Sequence, residues 1–341
     1  MKTLKNLLRV SFYLFSTILF SQSIDDIKEF NRIDLKTKKD TITFLHSTFN
    51  EKPKPTIVFI QGSLPIPLIF KENNESWINF PFNYPKFYKD VNLIIINRKG
   101  VLLITEYSDY EKAQNKPTKE YLENDNLYYR VFQVEEVLKY LKKQEWVDKN
   151  NIFLVGHSEG YRVAAKVAER NPKIKKIVCL AADPINRISE NLIRIQLENT
   201  SLENDSLRVL KIYKEINDYK NLKKFNVIQN DMMNFVSYNE NPPINSFKKY
   251  KNPVLISYGT NDVRAFNNNL LPLLINKKNL ELKIYPDLDH NFIKKEFDKE
   301  GNPLEDLQTL KNIKGVYFNF NYLDTKALED MKNKWLATAS K

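Results

Sequence analysis

The chain has 341 residues, and among them one cysteine, three histidines and seven glycines. A lone cysteine, Cys179, can form neither an intrachain disulfide nor a multi-cysteine metal site. It stands in an apolar run, which predicts a buried core residue. Three histidines, His46, His157 and His290, are too few for a histidine-rich metal centre and leave few candidates for a catalytic base. No residue pattern calls for a metal or an organic cofactor. No uncharged apolar run reaches the ~20 residues needed to cross a ~30 Å hydrocarbon core. Repeats and low-complexity linkers are absent as well.

Hydrophobic residues make up 42% and charged residues 28% of the chain, a globular mixture rather than a disordered one. The length suits two domains, or one large α/β domain with an insertion. The net charge of +11 is spread without a dense basic run, so no nucleic-acid partner is expected. The amino terminus has the order of a secretory signal peptide: Lys2, Lys5 and Arg9, then an apolar stretch over residues 10–20, then Ser21-Gln22-Ser23. Residues 1–22 are therefore expected to be a signal peptide. The mature protein should start near Ile24 and be exported, periplasmic or secreted, with no stable membrane insertion.

Six short apolar runs have the length and β-branching of buried strands: residues 56–60, 91–96, 151–155, 174–180, 253–258 and 280–285. Runs apolar on both faces predict a parallel sheet covered by helices. Residues 126–144 carry Leu127, Val131, Val134, Leu138 and Leu141 on one helical stripe. Residues 159–170 are rich in alanine and valine and stop before Asn171-Pro172, a helix-ending signal. Strand–helix alternation predicts a doubly wound, mostly parallel α/β sheet. Residues 187–250 break the alternation. They are expected to form a helical lid or cap between core segments 24–186 and 251–341, with Ile188, Leu192, Ile193, Ile195, Met232, Met233, Phe235 and Tyr238 as apolar surface for a substrate group.

One motif carries chemistry. Gly156-His157-Ser158-Glu159-Gly160 reads G-x-S-x-G, with a strand pattern leading in and a helix leading out. A serine at such a sharp turn needs glycines on either side, because side chains there would strike the neighbouring strand and helix. With only seven glycines available, Gly62 and Gly259 also fall just after predicted strands.

On these residues the sequence resembles the α/β-hydrolase superfamily over roughly residues 50–295, in the form of exported bacterial esterases and aminopeptidase-like serine hydrolases. The resemblance implies a triad in the order serine, acid, histidine. Ser158 is the nucleophile, and His290, after the last predicted core strand, is the base. His157 would point away from the serine hydroxyl. Asp262 in Gly259-Thr260-Asn261-Asp262 is the acid, with Asp183 as competitor. Asp287 and Asp289 should shape the histidine loop. Backbone N–H groups of Glu159 and Ser63, with Leu64 in reserve, would form the oxyanion hole. Tyr161 either narrows an acyl pocket or packs between helix and sheet, and Arg98-Lys99-Gly100 is read as structural.

These expectations amount to a serine hydrolase that cleaves a carboxylic ester, or a related acyl bond of a small-molecule or peptide substrate, through an acyl-enzyme. Two alternatives stand beside it. One is an aminopeptidase-like peptidase, whose ammonium pocket could draw on Glu190, Glu198, Glu203 or Glu240. The other is a non-catalytic binding protein on a hydrolase scaffold.

Overall fold

A computed structural model of the chain describes residues 21–23, 27–47, 52–73, 75–80, 91–198, scattered positions from 207 to 221, and 230–292; side chains are not described for 21–23, 194–198 and 230–232. Residues 1–20 of the expected signal peptide, Glu203, and the side chains of Ile195, Glu198 and Met232 lie outside the described set.

Among the described residues nine strands form one sheet: β1 (Ser21–Ser23), β2 (Phe30–Lys36), β3 (Thr41–Ser47), β4 (Lys54–Ile60), β7 (Asn92–Ile96), β9 (Val147–His157), β10 (Lys176–Leu180), β11 (Val254–Gly259) and β12 (Leu280–Tyr285). A smaller sheet holds β5 (Ile69–Glu72), β6 (Glu75–Ile78) and β8 (Ile104–Glu106). The α-helices of the described residues include α1 (Tyr110–Asn115), α2 (Lys119–Asn124), α3 (Leu127–Leu141), α4 (Glu159–Arg170), α5 (Arg187–Glu198), α6 (Asn230–Glu240), α7 (Pro243–Lys249) and α8 (Leu271–Leu274). The main sheet runs β1-β2-β3-β7-β4-β9-β10-β11-β12. Pairing is parallel from β7 to β12 and antiparallel on the β1–β2–β3–β7 side.

The parallel strands are apolar on both faces, as their sequences predict. Val58, Ile60, Ile152, Leu154, Ile177, Cys179, Val254 and Ile256 point into one core layer. Ile57, Phe59, Phe153, Val155, Val178, Leu180 and Leu255 point into the other. This is the period-two alternation of a strand with helices or loops above and below. Each such side chain contributes about 1.5–3 kcal/mol when fully buried. Helix α3 starts at Asn126, whose side chain caps the Tyr129 N–H, and lays Leu127, Val131, Val134, Leu138 and Leu141 on the first layer.

The chain order of the strands locates a crevice. From β4 the chain moves outward to β7, then crosses back to β9 on the other side of β4 and continues to β12. The order reverses between β4 and β9. Loops at the carboxyl ends of these two strands diverge there, which is where open α/β sheets bind ligands. Gly62 follows β4 and Ser158 follows β9.

The segment 187–250 is helical at α5, α6 and α7, but its end from Tyr238 onward packs into the core. Tyr238, Ile244, Phe247 and Tyr250 sit in the first core layer. Tyr238, expected as lid surface for a substrate group, is fully buried. Ile188, Leu192, Ile193, Met233 and Phe235 are half-buried. No helix among the described residues is long and apolar enough to cross a membrane.

Candidate active site

Strand β9 runs into α4 through Ser158, whose backbone has φ 54° and ψ −124°. A non-glycine residue pays strain for that region, so neighbouring packing must hold it there. A side chain on Gly156 would lie 2.2 Å from the Gly160 carbonyl oxygen, and one on Gly160 would lie 2.0 Å from that of Ile60. Both would be backbone collisions, so only glycine lets the turn press against β4. The Ser158 N–H is tied to the Leu180 carbonyl of β10 at 2.8 Å.

The structure brings Ser158, His290 and Asp262 together, although they are far apart in the chain. His290 Nε2 lies 2.9 Å from Ser158 Oγ, and His290 Nδ1 lies 3.0 Å from Asp262 Oδ2. A neutral imidazole protonated at Nδ1 satisfies both bonds: it donates to the carboxylate and accepts from the hydroxyl. Asp262 is 4% exposed, and its other oxygen accepts from the Arg264 N–H at 3.0 Å. The loops carrying acid and base are stitched together. The Asn261 N–H donates to the Leu288 carbonyl at 2.9 Å, and the Asp287 N–H to Thr260 Oγ1 at 2.8 Å. Within the histidine loop, Asp289 accepts from the Asn291 N–H at 2.8 Å.

His157 turns away from the hydroxyl, as expected, but it contacts the site from behind. Its Nε2 lies 3.0 Å from the His290 carbonyl oxygen. Burial pushes its pKa down to about 4, so at neutral pH it is an uncharged donor to that carbonyl. Asp183, the competing acid, is 1% exposed and faces elsewhere. Its carboxylate accepts from the Ile185 N–H at 2.8 Å and from Asn267 Nδ2 at 2.6 Å. Tyr161 is packing and not pocket: it is fully buried, stacks on Phe247 at 5.7 Å, and its hydroxyl reaches Asn268 Oδ1 at 3.2 Å.

Gly62 closes the other side. A side chain there would stand 3.1 Å from Ser158 Cβ, so the β4 loop backbone lies directly against the serine. Ser63 and Glu159 therefore flank Ser158 from two directions. The Glu159 side chain is buried. It pairs with Arg130 at 2.9 Å, Arg187 at 2.8 Å and Arg98 at 3.5 Å. Burial alone would raise its pKa, but the three guanidinium groups outweigh it and hold the carboxyl far below the usual carboxylate range. A second pair, Arg162 with Glu190 at 2.6 Å, also joins α4 to α5. Arg130 and Arg187 carry no local sequence signal for this role, since their partner Glu159 comes from another element. Glu190 is thus engaged, and Glu240 is exposed. Among the described residues no group of three or more His, Cys, Asp or Glu could hold a metal ion.

Residues 119–305, more than half of the chain, match the prolyl oligopeptidase family. The chain belongs to that family. Its fold is that of the α/β-hydrolases. No curated protein matches its sequence. Solved structures similar to it include 2,6-dihydroxy-pseudo-oxynicotine hydrolase (14% identity, TM-score 0.48, 76% of this chain and 62% of that one). Acetyl xylan esterase 1 from Thermoanaerobacterium sp. JW/SL YS485 is another (15%, 0.48, 88% and 86%). The acylaminoacyl peptidase of Pyrococcus horikoshii is a third (15%, 0.48, 78% and 38%). The chain spans less than two thirds of the first and third of these proteins, and likenesses this distant do not bear on activity.

Proposed function

We propose that Ser158, His290 and Asp262 are a catalytic triad that cleaves a carboxylic ester through an acyl-enzyme. The observation that carries this reading is the unbroken hydrogen-bonded line from the serine hydroxyl through the imidazole to a buried carboxylate. Ser158 Oγ attacks the ester carbonyl while His290 Nε2 takes its proton. Asp262 keeps the other ring nitrogen protonated and stabilises the imidazolium. The N–H groups of Glu159 and Ser63 receive the developing oxyanion. His290 then gives its proton to the leaving alcohol, and water enters by the reverse sequence to release the acid. No step draws on a metal or cofactor.

A peptide or aminoacyl amide is the second reading, favoured by membership in the prolyl oligopeptidase family. The ester is preferred because Glu190, a candidate for an amine-recognising carboxylate, is engaged by Arg162. A non-catalytic role fits poorly with the complete triad line. Residues 187–250, apart from the core-packed end from Tyr238 onward, would act as the lid, and residues 1–22 as an export signal.

The test is fluorophosphonate labelling with a matched substrate screen. Wild type should be labelled on Ser158 and should hydrolyse esters faster than aminoacyl amides. Ser158→Ala should lose labelling and on the order of 10⁴–10⁶ in turnover while staying folded. Substantial activity in the folded variant rejects the triad, and faster amide cleavage transfers the assignment to the peptidase reading.

A further inference from the structure

Beside the triad the protein buries charge that the reaction steps above do not use. Arg98 and Arg130 are 4% and 5% exposed, and Glu159 is 5% exposed. Replacing such buried ion pairs by apolar side chains is often neutral or stabilising, so fold stability alone is a weak reason for them. Their hydrogen bonds suggest a different one. Arg130 Nη2 donates to the Gln61 carbonyl at 2.6 Å, its Nη1 pairs with Glu159 at 2.9 Å, and the same Nη1 lies 3.5 Å from the Gly62 carbonyl. Arg98 donates to the Gly62 carbonyl and pairs with Asp125. The Tyr121 hydroxyl donates to the Ser63 carbonyl, and the Arg98 guanidinium lies over the Tyr121 ring at 4.9 Å. Three consecutive carbonyls of the β4 loop are thus held by one buried group of side chains.

A peptide unit is planar and trans, so its C=O and N–H point in opposite directions. Fixing the Gly62 carbonyl on Arg98 and Arg130 fixes the Ser63 N–H on the opposite side. The same two arginines grip the carboxylate of Glu159, whose backbone supplies the other donor. We propose that Arg98 and Arg130 are positioning residues, a guanidinium clamp that locks the β4 loop to the first turn of α4 so that the Ser63 and Glu159 N–H groups stay aimed at the oxyanion. This deepens the acyl-transfer reading and rests on it. An oxyanion forms only after attack, so the clamp acts on turnover and on tetrahedral species and leaves the planar ester's binding alone.

The experiment compares Arg130→Gln, Arg130→Lys and Arg98→Lys with Arg170→Gln, which removes a half-exposed arginine that pairs with Glu135 instead. Each variant is assayed with p-nitrophenyl acetate for kcat and KM, with a boronic acid that forms a tetrahedral serine adduct, and for Tm. Arg130→Gln should lower kcat on the order of 10²-fold, the size of losing one oxyanion donor. KM should stay within about threefold, and boronate affinity should fall in step with kcat. Arg130→Lys keeps the charge but cannot bridge the Gln61 carbonyl and Glu159 at once, so it should lose roughly tenfold in kcat even if Arg130→Gln does not fold. Arg170→Gln should match wild type. A folded Arg130→Lys with wild-type kcat and boronate affinity overturns the clamp, as does a KM rise at constant kcat. If wild type is neither labelled by a fluorophosphonate nor active on the ester, the acyl-transfer reading fails first and takes the clamp with it.

Discussion

Asp183 and Asp262 follow neighbouring parallel strands, β10 and β11, and both are almost completely buried. Position and burial alone would make them interchangeable. Their partners make them opposites. Asp262 accepts from a backbone N–H and faces His290, a group that would become cationic in the proposed turnover. Asp183 accepts from a backbone N–H and faces the amide of Asn267, which never carries charge. Burial therefore dominates at Asp183 and pushes its pKa up to about 7, with the more distant Arg162 only partly offsetting it. A carboxylate serves a triad where the groups around it supply a cation, and the loop after β10 supplies none within hydrogen-bonding reach.

The contrast breaks most sharply under Asp262→Asn. The amide favours the wrong histidine tautomer, and kcat should fall about 10⁴-fold, as such a change does in a serine protease. Asp183→Asn in the same assay should change kcat/KM less than tenfold, under ~1.4 kcal/mol. If the two losses exchange places in folded proteins, the acid belongs to the β10 loop.

Stability against pH sharpens the comparison further. Asp183 binds its proton more tightly in the folded state, so its contribution is full below the ordinary aspartate range and is lost as pH rises toward about 7. His46 and His157 are held neutral by burial, each with a pKa pushed down to about 4, so their contribution is lost as pH falls from the ordinary histidine range toward 4. The two effects oppose each other. Asp183→Asn removes the first, so its Tm relative to wild type should be higher at pH 7.5 than at pH 5 by several degrees, at about 2–4 °C per kcal/mol. A pH-independent Tm difference would show that Asp183 is not protonated at pH 5 in the folded protein.

Away from both aspartates, the comparison extends to the proposed lid. Phe235→Ala should shift the ratio of kcat/KM for long over short acyl esters by about 1–3 kcal/mol. An unchanged ratio would assign Phe235 to packing.

The central sheet was legible because its strands are apolar on both faces and bounded by glycine or proline. The elbow was legible because two of the seven glycines bracket Ser158. Strands β2 and β3 were not. Arg32, Asp34, Thr43 and His46 are spread along them, and their burial is only partial on one side. The three-stranded sheet escaped because β5, β6 and β8 are only three or four residues long. The start of β9 at Val147, before the expected residue 151, comes from pairing with Lys54, which a hydrophobicity pattern does not register. The cluster around Glu159 joins arginines 28 to 61 positions away from it, on α3, on α5 and on the loop after β7. No local pattern in one sequence encodes that meeting. Tyr161 shows the same limit: its neighbours Phe247 and Asn268 decided between pocket and packing.

The two ion pairs between α4 and α5 also form a keyed joint. On α4, Glu159 and Arg162 stand three residues apart, and on α5 Arg187 and Glu190 repeat the spacing with the signs reversed. Residues so spaced share a helix face. Sliding α5 by one turn would set Glu190 against Glu159, or Arg187 against Arg162, like charges in a largely buried seam. Only one alignment satisfies both pairs. Helix α5 is thus held against α4 at a single set position, and any segment grafted after residue 190 would inherit that alignment.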